Sequence, residues 1–274
     1  MSNIRIQIVD LVNEQVINKD QVKSLLLPCF NFSLVLSQSR LKLSKIGGYP
    51  IISDDNINID DSLSFLGQIS LKDISSNGIL PNKGILYFFI NINLTNRFPE
   101  RKGDFKVLYL NNDSIQYKTA TNINSIIPKS LSFSYEESYS FPSYQESIIE
   151  NSGIKENDLQ TIEEITFSIY HHFTKGSYDI PHQILGHPQA IQGTVRFWWA
   201  AKYLGMDKKD YYSEEEIKII EKEEDNFILL LQVNFGDLKI NFDNFDDSLA
   251  YFGIHKRDLE IENFNNVVLV MQNT

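Results

Sequence analysis

Cysteine occurs once in the 274-residue chain, at Cys29, so no disulfide can close within it and a reducing compartment is expected. Long apolar runs are missing as well. Nothing approaches the roughly 18 residues of a membrane span, and Met1 to Asp10 has no basic stretch followed by an apolar core. A cytoplasmic protein with no membrane partner is the expectation, and Asn93-Leu94-Thr95 and Asn112-Asp113-Ser114 match the glycosylation pattern by chance. Basic residues are in the minority, 25 Lys and Arg against 36 Asp and Glu, which gives a net charge of -11 and a pI near 4.9. Such a surface repels a phosphate backbone, so nucleic acid is not an expected partner; a basic protein partner, or simply solubility, fits the charge, and solubility is the commoner reason. Also lacking are the Gly-x-Gly-x-x-Gly and Gly-Lys-Ser/Thr phosphate loops, the Gly-x-Ser-x-Gly elbow and His-Glu-x-x-His. No cofactor and no reaction class can be read from signatures.

What is present leans toward strands. Aromatic residues make up 12% of the chain, and Ile- and Phe-rich stretches alternate with polar positions. A period-two pattern predicts a strand beginning at Phe30, and further strands are read over 63–71, 85–92, 105–110, 227–233, 249–254 and 267–271. Three-and-four spacing predicts one or two helices over 4–27, closed by Pro28, and a helix over 155–173; a second helix is read over 194–203, and the charged stretch 210–225 reads as an exposed helix or insertion. Residues 111–145, rich in Ser, Asn and Tyr with weak periodicity, read as irregular strands and loop. The expected class is α+β and β-rich, with mostly antiparallel strands and peripheral helices.

One pattern occurs twice. Gln68 lies within Phe65-Leu66-Gly67-Gln68-Ile69 and is followed nineteen positions later by Tyr87-Phe88; Gln232 lies within Leu230-Leu231-Gln232-Val233 and is followed at the same distance by Tyr251-Phe252. Upstream stand Ile46-Gly47-Gly48-Tyr49-Pro50 and Ile184-Leu185-Gly186-His187-Pro188. An internal duplication is expected, with pseudo-repeats at about 30–112 and 180–272, an N-terminal helical segment at about 4–27 and a bridge at about 113–179, all within one domain over 1–274.

An amide in an apolar strand needs a partner, since an unpaired buried one costs about 1–3 kcal/mol. Gln68 and Gln232 are expected either to bond the equivalent loop across a near-twofold or to face a shared cleft. Four of the five histidines fall between 171 and 187, at His171, His172, His182 and His187. His171 and His172 point to different sides of a helix and no third ligand accompanies His182 and His187, so no metal is expected. Acidic pairs such as Asp54-Asp55, Asp60-Asp61 and Asp246-Asp247 sit in turn sequence where Asp is favoured for backbone reasons. Of Trp198-Trp199, at least one belongs in a core.

The set Ser44 to Pro50, Leu66 to Ile69, Gly78 to Pro81 with Gly84 to Phe88, His182 to Gln192, and Leu229 to Val233 resembles the YwqG family, a bacterial and lower-eukaryotic family of unknown function, from about residue 30 to 271. The resemblance implies one α+β unit with internal duplication and recurrent positions at Gly48, Pro50, Gln68, Gly84, Gly186, Gln192 and Gln232. Where the family tends to carry Gly-Asp-x-Gly before its last Tyr-Phe-type strand, this chain has Phe245-Asp246-Asp247-Ser248. The family's occurrence near toxin and antitoxin genes implies an immunity-type role, so a non-catalytic binding protein for a basic partner is the leading expectation. Its candidate ligand- or partner-binding residues are Gln68, Gln232, His182, His187, Gln192 and Asp246. The alternative is an enzyme of unknown class with a cleft between the repeats, using His182, His187, Gln192 and Asp246.

Overall fold

The computed structural model describes residues 4–36, 42–53, 58–94, 96–111, 117–174, 180–207, 211–240, 242, 245 and 247–273. Alternating apolar residues drive strand formation as the pattern requires. The strands are β1 (Leu27–Leu36), β2 (Lys45–Ile46), β3 (Ile51–Ile52), β4 (Ser64–Ser70), β5 (Ile85–Ile90), β6 (Phe105–Leu110), β7 (Lys118–Thr119), β8 (Leu131–Ser140), β9 (His182–Leu185), β10 (Phe227–Asn234), β11 (Ser248–His255) and β12 (Val268–Asn273). The helices are α1 (Ile4–Gln15), α2 (Lys19–Ser24), α3 (Ser147–Ser152), α4 (Glu156–Thr174), α5 (Val195–Tyr203), α6 (Glu214–Glu224) and α7 (Lys256–Glu260). Two starts show ordinary capping chemistry: Thr194 accepts from Phe197 N at α5, and Ser213 with Glu216 forms a capping box at α6.

Ten strands form one sheet in the order β12-β11-β10-β9-β1-β8-β2-β4-β5-β6, every named pair antiparallel. β3 and β7 form a separate pair. The sheet curls until its two wings face each other. Phe88 of β5 meets Phe252 of β11 edge-to-face at 5.0 Å, and Tyr109 of β6 meets Phe264 at 4.9 Å. The enclosed cluster includes Phe30, Phe32, Leu86, Leu230, Leu231 and Leu269, each contributing about 1.5–3 kcal/mol by leaving water. The space between the wings is therefore packed with side chains rather than open as a cleft.

Three smaller clusters cover the outer face. α1, α2 and α4 bury Ile8, Val12, Val22, Ile162, Ile165 and Ile169 with Phe141. α5 and α6 cover β10 to β12 through Trp199, Ala200 and Ile220. On the other wing Ile52, Ala120 and Ile123 lie against Phe65, Tyr87 and Phe89.

Two sequence expectations are corrected. The bridge read as irregular contains β8, a ten-residue strand paired along its whole length with β1 in the middle of the sheet. Its inward Leu131, Phe133 and Tyr135 alternate with Ser132, Ser134 and Glu136, a signal diluted by polar residues on the half-exposed face. Pro28 does not close the helices from outside. It lies within β1 opposite Tyr139, because Leu25 and Leu26 already end α2 in αR and turn geometry.

Candidate functional site

The two Gly-Pro loops have matching backbones and matching restraints. Gly47 and Gly48 have φ of 67° and 63°; Leu185 and Gly186 have φ of 62° and 77°. Left-handed backbone is natural for glycine and costs a leucine about 1–2 kcal/mol, so the second loop holds Leu185 under strain. In the first loop Gln68 Oε1 accepts from Ile51 N at 2.8 Å, and the Tyr87 hydroxyl donates to Ile51 O at 2.9 Å. In the second, Gln232 Oε1 accepts from Gln189 N at 2.9 Å, and the Tyr251 hydroxyl donates to Gln189 O at 2.7 Å. Lys45 Nζ donates to Tyr49 O, as Gln183 Nε2 donates to His187 O. A register shift at Leu66 and another at Leu230 set each glutamine opposite its tyrosine, Gln68 with Tyr87 and Gln232 with Tyr251. Each amide thus clips the loop of its own wing. The expected bond to the equivalent loop across the molecule is not formed, because the apolar core lies between the wings.

Around the clips the chemistry differs. His187 is buried; its Nε2–H donates to Leu25 O at 2.7 Å and its Nδ1 accepts from Arg196 Nη2 at 3.1 Å. Burial first, and the Arg196 guanidinium second, hold its pKa down at about 3, so the ring is neutral with both nitrogens occupied. Arg196 lies 3.9 Å from the buried carboxylate of Glu146, which accepts from Val195 N and from the Thr194 hydroxyl, both at 3.0 Å. Burial pushes the Glu146 pKa up against those partners. Glu224, also buried, accepts from the Ser147 hydroxyl, and burial followed by the nearby Glu146 raises it to about 7. Glu224 Oε1 and Arg196 Nε have no hydrogen-bond partner among the described residues. The network ties α3, α5 and α6 to the second loop.

The first loop carries a different buried group. Lys45 is 3% exposed, with Nζ 5.7 Å above the Phe65 ring, and burial lowers its pKa to about 8. Sequence reasoning missed Lys45, Glu146, Arg196 and Glu224, since a charge in a short strand or at a helix end reads as solvated until burial is known. The pairing of Lys45 with Gln183 was available in the text, each standing one residue before the Ile of its Gly-Pro element.

The remaining predicted residues scatter. His182 accepts from Asn234 N at 3.1 Å through Nδ1, reaches Asp237 at 3.2 Å through Nε2 and stacks on Phe32. Gln192 borders a concavity of about 260 Å³ beside the free edge of β12, with Glu100, Trp198, Lys202, Asp207 and Gln272. There Glu100 accepts from Met271 N and pairs with Lys202 at 3.1 Å, which caps the exposed strand edge. His182, His187 and Gln192 therefore serve separate places, and Asp246 lies outside the described residues, as do Asp54 and Asp55. Among the described residues no three His, Cys, Asp or Glu side chains could hold a metal ion together, and no helix is long and apolar enough to cross a membrane. A second concavity, about 410 Å³, opens beside Gly48 and Tyr49 of the first loop.

A family model described as a domain of unknown function, DUF1963, matches residues 44–272, and the chain belongs to that family. No curated protein matches it.

Proposed function

We propose that this DUF1963 protein is a non-catalytic binding protein, of immunity type, that holds a basic protein partner on an acidic helical face. The observation that carries the reading is the outer stripe of α4. Glu156, Gln160, Glu163, Glu164, Phe167 and His171 recur at three- and four-residue spacing, all exposed, and the helix contains no Lys or Arg. Phe167 is 50% exposed and supplies an apolar anchor within the acidic field. Uncompensated charge attracts a basic surface and speeds encounter, and an aromatic anchor supplies contact energy. The enzyme alternative loses its best base, because His187 has both ring nitrogens engaged inside the protein.

We also infer that the two loop-and-strand units are copies of one ancestral element within a single domain, and that the chain is a YwqG-type member of its family. The shared clip geometry and the quoted motifs support this. A cytoplasmic location fits the single Cys29, which is buried, with its thiol pushed up to about 12 by burial.

The test is charge reversal. Wild-type protein and the Glu163→Lys/Glu164→Lys variant are used as bait in extract from the native cell, at about 0.1 M and 0.5 M salt, a range across which screening becomes severe. A basic protein held by the wild type at low salt, and lost both at high salt and with the variant, supports the reading. Retention of the same proteins by both baits would sink it.

A further inference from the structure

The concavity beside the first loop has a chemistry of its own. Its polar lining comes from Tyr49, Ser64, Asn93, Thr121, Asn124 and Ser125, completed by Gly48, Ile92 and Pro128, and includes no charged side chain among the described residues. The Tyr49 hydroxyl, the Asn93 and Asn124 amides and the Thr121 hydroxyl have no hydrogen-bond partner among the described residues, and Tyr49 is 46% exposed. The backbone behind them is fixed. Gly48 N donates to Ile127 O at 2.7 Å, Phe65 N to Asn124 O at 2.7 Å and Ala120 N to Pro50 O at 2.9 Å. A Cβ on Gly48 would lie 2.9 Å from that of Ser130, so the loop cannot relax toward its neighbour. At the matching position of the second loop, His187 is buried. An outward aromatic beside an open polar bowl is thus a property of the first loop alone.

The geometry points to a binding site for a neutral saccharide. A charged ligand would find no counter-charge among the described lining residues, and an apolar one would strip water from amides and hydroxyls without replacing it. Sugar hydroxyls both donate and accept, which suits side chains that do the same, and the C–H face of a sugar ring lies well on an aromatic plane such as Tyr49. A fixed backbone keeps the ordering cost of binding small. This site is independent of the acidic stripe of α4 and of the partner proposed for it.

The experiment titrates the full chain with maltose, cellobiose and lactose, and with glucosamine and glucuronate as charged counterparts, following saturation transfer to the sugar and backbone amide shifts. We expect at least one neutral disaccharide to bind with Kd of order 1–10 mM, shifting the amides of Gly48, Tyr49, Asn93 and Asn124. Tyr49→Ala should weaken binding about tenfold, and Asn124→Ala should weaken it less; both side chains are exposed, so thermal melting should be unchanged. Absence of shifts with every neutral sugar overturns the proposal. So do shifts confined to other residues, binding indifferent to Tyr49→Ala, or equal binding of the charged sugars.

Discussion

The two Gly-Pro loops share a backbone and the side chains that clip it, and differ in what surrounds them. Each has two consecutive left-handed residues, a glutamine amide gripping the residue after proline, and a tyrosine hydroxyl on the same residue. The first turns its aromatic residue outward over a neutral bowl and buries one lysine. The second turns its histidine inward onto Arg196, which with Glu146 anchors three helices. What is common fixes a loop against a curled sheet, and what differs decides whether the loop faces solvent or a helical layer. The first loop exposes Tyr49, whereas the second buries the matching His187.

Cutting the clips should break the comparison most sharply. Gln232→Leu removes the partners of Gln189 N and Pro181 O, two buried groups at about 1–3 kcal/mol each, so a loss of about 2–6 kcal/mol is expected in chemical denaturation. Gln68→Leu orphans Ile51 N, but Ile51 O keeps the Tyr87 hydroxyl, so about 1–3 kcal/mol is expected. Equal losses at the two positions would contradict the two-bond reading of Gln232. A double variant that stays folded would show the clips to be dispensable.

Gly47 and Leu185 sharpen the comparison from the backbone side. Both are left-handed, yet only the second carries a side chain. On Gly47 a Cβ would lie 2.4 Å from Lys129 O and 2.7 Å from Ile127 Cβ, so the surroundings as well as the torsion demand glycine. Gly47→Ala should cost about 2–5 kcal/mol, the sum of left-handed strain and overpacking. A loss under about 1 kcal/mol would mean that the 127–129 segment yields freely.

Much of this architecture was legible. β6 falls at the predicted 105–110, and the other predicted strands and α5 lie within a few residues of their predicted bounds, because they are apolar runs of strand length, and β4, β5 and β11 are buried on both faces. The two glutamines stood out as amides in apolar strands, and both proved fully buried and bonded. β8 did not stand out, since Ser and Glu on its outer face hide the period. The packed interior between the wings was also illegible: Phe88 and Phe252 meet across 164 residues of sequence, and no local pattern encodes which way a long sheet curls. Nor could the text say that Tyr49 is outside while His187 is inside, for that depends on α5 covering one wing and not the other.

The smallest effects expected are pH slopes, and those of Lys45 and Glu224 are opposite in sign. Lys45 has its pKa lowered by burial from 10.5 to about 8, so its charge opposes folding at neutral pH. Above about 8 the folded state releases the proton that the unfolded state keeps until 10.5, and stability should rise across that window. Glu224 is raised from 4.5 to about 7, chiefly by burial, so the folded state holds a proton the unfolded state has lost, and its contribution should fall as pH climbs from 4.5 to 7. His187, held near 3 by burial and Arg196, acts oppositely in acid and withdraws stability as pH drops from 6.5. Wild-type curves therefore blend the two, and differences from single variants resolve them. Lys45→Gln, which gives the first loop the residue type of Gln183, should erase the alkaline rise. Glu224→Gln should stabilise the protein more at pH 8 than at pH 4, because only the ionised carboxylate is penalised by burial and, secondarily, repelled by Glu146. Unfolding free energies of the three proteins at pH 4, 6, 8 and 10 decide the matter. Parallel curves for Glu224→Gln and wild type would mean that Glu224 is solvated in the folded protein, and parallel curves for Lys45→Gln would say the same of Lys45.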